Sequence, residues 1–369
     1  MPNDARTPGE VSLKDLVIED VKRGEHASSF RRDLRDIYRF YLSDAERGHL
    51  AGMKPFKRFF WIAGWLARNL LLRLSPNRRL LLLAATLMLV SGHMEWKIGG
   101  RDFSLNLSAL PFLLVLVVLM LELKDKLLAR DEIEVARQVQ MSLLPKEHPA
   151  LPGWEIWSAT TPANDVGGDL IDYLEGSGGR LGVALGDVAG KGMGAALLCA
   201  KLQATLRALA PQAADLESLG GALNGILERA GLDNRFATLF YCEVAASAPA
   251  VRYLNAGHNP ALLVRAGTIE VLAASAPPLG MPPGIRYAQG EVSLQPGDVL
   301  ALYSDGITEA TDAAGAEFGV GRLEDALLGA GDRSAESIGR AILGAASEFL
   351  GGEKPHDDQS ILVLRRIAS

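Results

Sequence analysis

The second half of the chain alternates short strand-forming runs with turns rich in Gly and Pro, and this pattern constrains the fold more than any other feature. Six runs rich in aliphatic and aromatic residues predict strands, at 181–185, 237–244, 251–254, 261–264, 299–303 and 361–364. Longer helical patterns lie between them, at 193–209, 216–230 and 334–350. Several predicted strands follow one another directly, which favours antiparallel pairing. We therefore predict an α+β domain over residues 150–369, with antiparallel sheets covered by helices.

Four aspartates end or interrupt these apolar runs at Gly-rich turns. They are Asp169 in GGDLID, Asp187 in ALGDVAGKGMG, Asp305 in LYSDGITEA and Asp357 in HDDQSILVL. A single Asp of this kind is usually a turn former that accepts a hydrogen bond from a nearby backbone amide. Four in one domain indicate carboxylates that converge on hard divalent cations, because Mg²⁺ and Mn²⁺ prefer oxygen ligands.

Glycines lie beside three of these aspartates, at positions 167, 168, 186 and 306. They allow close backbone approach to a crowded cation site, so that a peptide carbonyl can serve as a further ligand. Two further acidic residues, Asp172 and Asp358, lie close to Asp169 and Asp357. In a regular strand the two members of each pair point to opposite faces. We expect one member of each pair to face the cations.

The order of these motifs resembles the metal-dependent (PPM-type, type 2C-like) Ser/Thr protein phosphatases, in their bacterial SpoIIE/RsbU-like branch. The resemblance covers roughly residues 129–367 and rests on ARQVQMSLLP, GGDLID, GDVAGKGMGAAL, FATLFY, NAGHNP, LYSDGITEA, EFG and HDDQSILVL, in that order. It implies an antiparallel β-sandwich flanked by helices, with a two-metal site at one edge.

The resemblance also assigns the site residues. Carried over by position, Asp187, Asp305 and Asp357 match metal ligands, and the carbonyl of Val188 matches the backbone ligand. Asp169 matches the carboxylate at the second metal. Two ions, Mn²⁺ or Mg²⁺, are implied as cofactors, and the four aspartates are the predicted catalytic residues.

The implied activity is hydrolysis of phosphoserine or phosphothreonine by a water activated between two cations. No covalent intermediate is required, in agreement with the lack of a nucleophilic cysteine motif. Cys199 and Cys242 lie in apolar stretches and are expected to be buried, reduced thiols. Eukaryotic type 2C relatives carry a His directly after Asp-Gly in the second motif, whereas Val188 follows Asp187 here. The acid that protonates the leaving group is therefore open.

Two other residues near the motifs have alternative interpretations. His258 in NAGHNP is a candidate for that acid or for a metal ligand, but a turn between two strands is the stronger interpretation. Lys191 in AGKG does not fit a Walker motif, because the spacing and the residue after Lys191 are wrong. It either approaches a substrate phosphate or solvates the start of a helix, and the sequence does not separate these roles.

Two runs free of Lys, Arg, Asp and Glu, at 80–94 and 103–121, predict a transmembrane helical hairpin. Basic residues flank the outer ends of the pair, so the positive-inside rule places both termini and the catalytic domain in the cytoplasm, at the inner membrane. Two buried helices of a soluble bundle are the alternative. Upstream, residues 56–74 mix aromatic and basic side chains, which suits an amphipathic helix in the headgroup region.

The charge of the chain is unevenly distributed. Residues 1–79 carry 16 basic and 10 acidic side chains, whereas residues 150–369 carry 15 basic and 26 acidic ones. The basic segment 1–79 favours contact with anionic lipid, whereas the acidic segment 150–369 is unsuited to binding the phosphate backbone of a nucleic acid. We thus expect a basic N-terminal region at 1–79 with a polar helical part at 1–50, two spans within 80–121, and no nucleic-acid partner.

Residues 122–144 are dense in charge, free of Gly and Pro, and followed by Pro145, which predicts a linker helix within 122–148. Leu128, Val135, Val139 and Leu143 lie along one side of it. This stripe suits either a partner helix, and hence a homodimer, or packing on the chain's own catalytic domain.

The leading hypothesis is that the chain is a membrane-tethered phosphatase that acts on a phosphorylated regulatory protein. In relatives that substrate is commonly an anti-anti-sigma factor with a STAS fold. A catalytically silent docking module at the membrane is the alternative. Retention of four mutually repelling carboxylates argues against a silent module. A two-metal phosphohydrolase acting on nucleotides or nucleic acid is disfavoured by the acidic body.

Overall fold

The structure is a computed structural model that describes residues 53–90, 94–98, 101–105, 109–163, 166–229, 236–246, 248–331 and 333–368. The predicted polar helical region at 1–50 lies outside these residues. The chain divides into two compact units, Met1–Lys126 and Leu127–Ser369.

The described part of the first unit consists of helices and one β-hairpin. Helices α1 (Pro55–Arg73) and α2 (Pro76–Val90) each begin with a proline, whose fixed φ suits the first helical position. Strands β1 (Met94–Ile98) and β2 (Arg101–Leu105) pair antiparallel, and helix α3 (Ala109–Leu143) follows them. The guanidinium of Arg78 in α2 donates to Glu122 at 2.6 Å and to Asp125 at 2.5 Å, which joins α2 to α3.

The predicted transmembrane hairpin is not supported by these elements. The end of the first predicted span and the start of the second lie in β1 and β2, and α2 is only 15 residues long. The apolar part of α3 ends at Glu122, and a span needs about 20 apolar residues. Throughout the described ranges, no helix combines the length and the apolar character that crossing a membrane requires.

The second unit contains two antiparallel five-stranded sheets, as predicted. The first has the strand order β10-β7-β6-β5-β4 and the second β3-β12-β11-β8-β9. Their bounds are β3 (Trp154–Thr161), β4 (Asp169–Glu175), β5 (Leu181–Val188), β6 (Ala237–Val244), β7 (Ala250–Ala256), β8 (Ala261–Arg265), β9 (Thr268–Leu272), β10 (Gln289–Ser293), β11 (Val299–Tyr303) and β12 (Gln359–Arg366).

Helices cover the outer faces of both sheets. They are α4 (Met193–Leu209), α5 (Leu216–Glu228), a short α6 (Asp305–Thr308), α7 (Gly319–Gly329) and α8 (Ala335–Leu350). Three buried apolar clusters give four layers: α4 and α5 pack on the first sheet, α7 and α8 pack on the second, and residues such as Phe240 and Leu362 fill the space between the sheets. Apolar residues on both faces of the central strands explain why these strands read as continuous apolar runs.

Antiparallel pairing brings the ends of specific strands together. The register pairs Asp169, the first residue of β4, with Asp187 near the end of β5. In the second sheet, Tyr303 at the end of β11 pairs with Ile361 near the start of β12. All four predicted site residues therefore lie at such ends: Asp169 and Asp187 in one sheet, and Asp305 and Asp357 just outside the paired strands of the other.

Within the second unit, two glutamines fasten the C-terminal end of α3 to the rest of that unit. The Gln140 side chain donates to the carbonyl of Gly167 at 2.6 Å and accepts from the Gly167 amide at 2.9 Å. The Gln203 side chain of α4 donates to the carbonyl of Leu143 at 2.9 Å, which satisfies one of the last carbonyls of α3. The helix is thereby tied to the residues that immediately precede Asp169.

Replacing Gln140 by Leu should loosen this attachment, because both backbone groups of Gly167 lose their partner in a part-buried place. We expect the free energy of unfolding to fall by about 1 to 3 kcal/mol and amide hydrogen exchange at Gly167 and Gly168 to become faster. Gln138→Leu, at an exposed position of the same helix, is the matched control. If Gln138→Leu lowered stability and sped up amide exchange as much as Gln140→Leu, the two Gln140 hydrogen bonds would not be what attaches the helix.

Candidate metal centre

The first sheet contributes Asp169 and Asp187 as cross-strand neighbours. The side chain of Asp169 is almost fully buried, and its Oδ2 atom has no hydrogen-bond partner among the described residues. A buried carboxylate oxygen without a partner is unfavourable unless a proton or a cation compensates it.

The second sheet contributes Asp305 and Asp357. Asp305 follows β11 after Ser304 and starts the short helix α6, whereas Asp357 lies in the loop that leads into β12. Ser304 fastens these two segments: its backbone amide donates to the carbonyl of Ser360 at 3.0 Å, and its hydroxyl donates to the carbonyl of Asp358 at 2.9 Å. The two aspartates are thus held on adjoining segments.

Carboxylates from the second sheet lie close enough to Asp187 in the first sheet to raise its pKa. Burial, followed by repulsion from Asp305 and Asp357, raises the pKa of Asp187 to about 7. Burial and then Asp187 raise the pKa of Asp169 well above its usual value, and burial and then Asp357 raise that of Asp305. The structure therefore brings all four predicted aspartates into one electrostatic cluster.

The neighbouring aspartates Asp172 and Asp358 each accept two hydrogen bonds from other segments of the chain. Asp172 is fully buried and accepts two hydrogen bonds of 2.7 Å from the Arg207 guanidinium, which fastens β4 to α4. Asp358 accepts from the backbone amides of Ala163 at 2.8 Å and Gly168 at 2.7 Å. Both side chains therefore fasten segments next to the cluster, and the charge of Asp358 also contributes to the raised pKa values of Asp169 and Asp187.

The carbonyl of Val188 lies beside Gly168, as does the carboxylate of Asp187. A Cβ atom at position 168 would lie 3.0 Å from both the Val188 carbonyl oxygen and Asp187 Oδ1. Glycine at this position keeps the space beside these two oxygens open, as the sequence indicates.

The residues fit a hard divalent cation in donor type and charge. The donors are carboxylate and peptide oxygens, and Asp169 Oδ2 has no hydrogen-bond partner among the described residues. Burial first, and then repulsion from neighbouring carboxylates, raises the pKa of Asp169 and of Asp187, and a bound cation would offset both effects. Across the described part of the chain, however, no three or more His, Cys, Asp or Glu side chains are grouped closely enough to hold a metal ion as they stand.

Two residues join the cluster that the sequence did not assign to it. The ammonium of Lys191 forms an ion pair of 2.9 Å with Asp357 Oδ2. Glu309 follows Asp305 by four residues, and burial together with Asp305 raises its pKa. The spacing of four, about one helical turn, is a signal that identifies Glu309 from the motif LYSDGITEA, whereas nothing in the sequence pairs Lys191 with a residue so distant in the chain.

His258 supports the site and does not line it. It is 4% exposed, and its Nδ1 lies 2.8 Å from the hydroxyl of Thr238, which in turn lies 3.3 Å from the backbone amide and carbonyl of Asp187. Its backbone amide donates to the Asn255 side chain at 2.9 Å, as the turn interpretation predicts. Burial lowers the pKa of His258 to about 4, so the imidazole is neutral at pH 7.

This buried imidazole should make stability depend on pH. In the unfolded chain His258 takes up a proton near pH 6.5, whereas in the folded chain it does so only near pH 4. Its contribution to stability is therefore complete above about pH 6.5 and is lost as the pH falls toward 4. Between pH 7 and pH 5 the loss should be about 2 kcal/mol, from 1.36 kcal/mol per pKa unit.

Urea unfolding of the wild type and of His258→Gln at pH 7 and pH 5 checks this expectation. The variant should lack about 2 kcal/mol of the acid destabilisation seen in the wild type. His356→Gln, whose side chain is exposed, is the control and should retain it. If His258→Gln loses as much stability as the wild type between pH 7 and pH 5, the expectation that His258 is buried and neutral is contradicted.

Known proteins with similar sequences carry the same domain. Protein IcfG of Synechocystis sp. (strain ATCC 27184 / PCC 6803 / Kazusa) is 30% identical over 234 residues, which cover 56% of this chain and 37% of IcfG. Phosphoserine phosphatase RsbU of Bacillus subtilis (strain 168) is 27% identical over 242 residues, which cover 64% of this chain and 70% of RsbU. The chain thus spans little more than a third of IcfG and about two thirds of RsbU.

A solved structure has the same fold. The SiaA-PP2C domain of Pseudomonas aeruginosa superimposes with a TM-score of 0.57 at 20% identity, over 65% of this chain and 98% of that domain. This likeness confirms the predicted α+β fold with two antiparallel sheets. The name of RsbU agrees with the predicted enzyme class, a protein-serine/threonine phosphatase. Neither comparison supports an N-terminal membrane segment.

The family assignment rests on the sequence of the domain itself. The profile of the family described as Stage II sporulation protein E (SpoIIE) matches residues 177–367, slightly more than half of the chain. That range contains Asp187, Asp305 and Asp357, while Asp169 lies just before it and is joined to it by the β4–β5 pairing. With matching motifs, fold and relatives, this chain belongs to the SpoIIE family, as its resemblance to the PPM-type phosphatases predicts.

Proposed function

We propose that this chain is a metal-dependent protein phosphatase that hydrolyses phosphoserine or phosphothreonine on a regulatory protein. The observation that carries the proposal is the cluster of Asp169, Asp187, Asp305 and Asp357 at adjoining strand ends, with raised pKa values in the first three. Membership of a family with a relative named phosphoserine phosphatase supports the reaction class.

The four aspartates and the Val188 carbonyl would hold two divalent cations, Mn²⁺ or Mg²⁺. Bound cations supply Lewis acidity, which polarises a phosphoryl group and lowers the pKa of an attacking water. The protein's part is to hold the carboxylates in place through the Asp358 and Ser304 hydrogen bonds. Gly168 leaves room for the backbone carbonyl at the same edge.

The chain's own nucleophiles do not suit a covalent mechanism. Cys199 is buried, and burial raises the pKa of its thiol to about 12, so it remains protonated at neutral pH. Burial also raises the pKa of the Cys242 thiol. His258 is buried and hydrogen-bonded to Thr238, so it does not reach a substrate, and water supplies the leaving-group proton in this proposal.

The decisive experiment is release of phosphate from a phosphoserine peptide by the full chain, with Mn²⁺ and with EDTA. Asp305→Asn should lower the Mn²⁺-dependent rate by at least about tenfold to a hundredfold, because even a change beyond the direct ligands has effects of that size. Asp325→Asn, an exposed position on α7, is the matched control and should retain the wild-type rate.

A folded wild-type chain that binds Mn²⁺ and a partner protein without releasing phosphate would contradict the proposal. That outcome would favour the alternative, a catalytically silent docking module. The identity of the phosphorylated partner, for which a STAS-fold anti-anti-sigma factor is our proposal, is tested by presenting phosphorylated candidate proteins in place of the peptide.

Association through the linker helix is a further part of the proposal. Leu128, Val135 and Val139 are each more than half exposed on α3, whereas Leu143 is half-buried and its backbone carbonyl accepts the Gln203 hydrogen bond. Helix α3 therefore contacts its own domain mainly at its end. The exposed stripe supports pairing with a second copy of the chain, because its spacings of seven and four suit helix association.

Val135→Asp should weaken a homodimer by at least about tenfold, since it places a charge in the apolar stripe. Glu134→Lys reverses an exposed charge on the same helix and should leave the dissociation constant nearly unchanged. Sedimentation equilibrium of the full chain measures both. A wild type that is monomeric at high micromolar concentration would exclude the homodimer.

Attachment to the inner membrane, with both termini in the cytoplasm, stays a prediction. What supports it is the aromatic and basic character of α1: Phe56, Phe59 and Phe60 are each more than half exposed, on a helix that also carries Lys57 and Arg58. Co-sedimentation of the full chain with anionic lipid vesicles tests this attachment.

A further inference from the structure

Lys191 is held in a loop whose backbone only glycine adopts readily. The loop joins β5 to α4, and Gly190 and Gly192 on either side of Lys191 have φ angles of 108° and 75°. This backbone carries the Lys191 side chain across to the loop that precedes β12, more than 160 residues later in the chain.

The ammonium of Lys191 makes two contacts there. Nζ lies 2.9 Å from Asp357 Oδ2 and donates to the carbonyl of His356 at 2.8 Å. The other oxygen of Asp357, Oδ1, accepts from the Asp358 amide at 3.0 Å. Both carboxylate oxygens of Asp357 therefore already have partners, and one of the partners is a cation.

We infer that Lys191 is a tethered counter-charge that competes with a divalent cation for Asp357. The inference rests on the proposed function, in which Asp357 is a metal ligand. A cation bound by Asp357 and the Lys191 ammonium repel each other, so loading the site requires Lys191 to leave the carboxylate. The side chains of Lys191 and Asp357 are 58% and 47% exposed, so the ion pair is weak enough to be displaced.

This role places a positive charge beside a cluster of carboxylates. Asp357 lies near Asp187 and Asp305, and the charge of Lys191 also reaches Asp305 and Glu309. Removing the ammonium should destabilise the ion-free protein and at the same time leave Asp357 more available to a cation. If Lys191 only solvated the start of α4, its removal would not lower stability and raise cation affinity at the same time.

Calorimetric titration of Mn²⁺ into the full chain, with thermal unfolding in EDTA, tests the inference. Lys191→Gln should bind Mn²⁺ about two- to fivefold more tightly, the range that a half-exposed ion pair supports, and should unfold at a lower temperature in EDTA. Lys191→Arg, which keeps the charge, should stay closer to the wild type in both measurements.

Two further variants keep the outcomes distinct. Lys354→Gln removes an exposed positive charge three residues before Asp357 and should leave Mn²⁺ affinity nearly unchanged, whereas Asp357→Asn should weaken binding. Unchanged or weaker Mn²⁺ binding by Lys191→Gln, or an equal gain in Lys354→Gln, would overturn the inference while Asp357→Asn still supports the metal site. A wild type that does not bind Mn²⁺, or an Asp357→Asn variant that binds as well as the wild type, would overturn the proposed function together with the inference.

Discussion

The hydrogen bonds of the Asp358 carboxylate hold the two sheets together at the end where the acidic residues lie. One oxygen accepts from Ala163, just after β3, and the other accepts from Gly168, just before β4. A single side chain from the segment preceding β12 thus fixes the connection between the sheets. Buried charge is tolerated here because two backbone amides solvate it.

The same contact explains the glycines of the GGDLID motif. A Cβ atom at position 167 would overlap with the Asp358 carboxylate, and one at position 168 would crowd Asp187. The Gly167 backbone also receives the Gln140 side chain from α3. The segment Gly167–Gly168 therefore contacts the linker helix and the Asp358 side chain and leads directly into Asp169. A displacement of either partner would also displace Asp169.

Much of this arrangement follows from sequence. One Asp at a Gly-rich turn indicates only a turn, but four such residues at the ends of apolar runs indicate converging carboxylates, and the family resemblance names Asp187 and Asp305 among them. The helix at Met193–Leu209 has the bounds that its periodicity predicts.

By contrast, β3, β4, β9 and β10 were not predicted. All four lie at sheet edges, and their mixed polar and apolar residues resemble those of loops. The β1–β2 hairpin was missed because the apolar runs on either side dominated the pattern, although Gly99 and Gly100 separate two runs of hairpin character. Contacts such as Lys191 with Asp357 depend on the tertiary fold and leave no trace in spacing.

Both cysteines of the chain lie inside the second unit, with their thiols protonated by burial. Oxidants attack the exposed thiolate far more readily than a buried thiol. If hydrolysis by this protein depends on its carboxylates and the cations that they would hold, no cysteine thiolate takes part in the reaction, and the Cys199 thiol next to Asp169 is buried and protonated. The proposed reaction would then continue under oxidative conditions that inactivate enzymes with a catalytic cysteine.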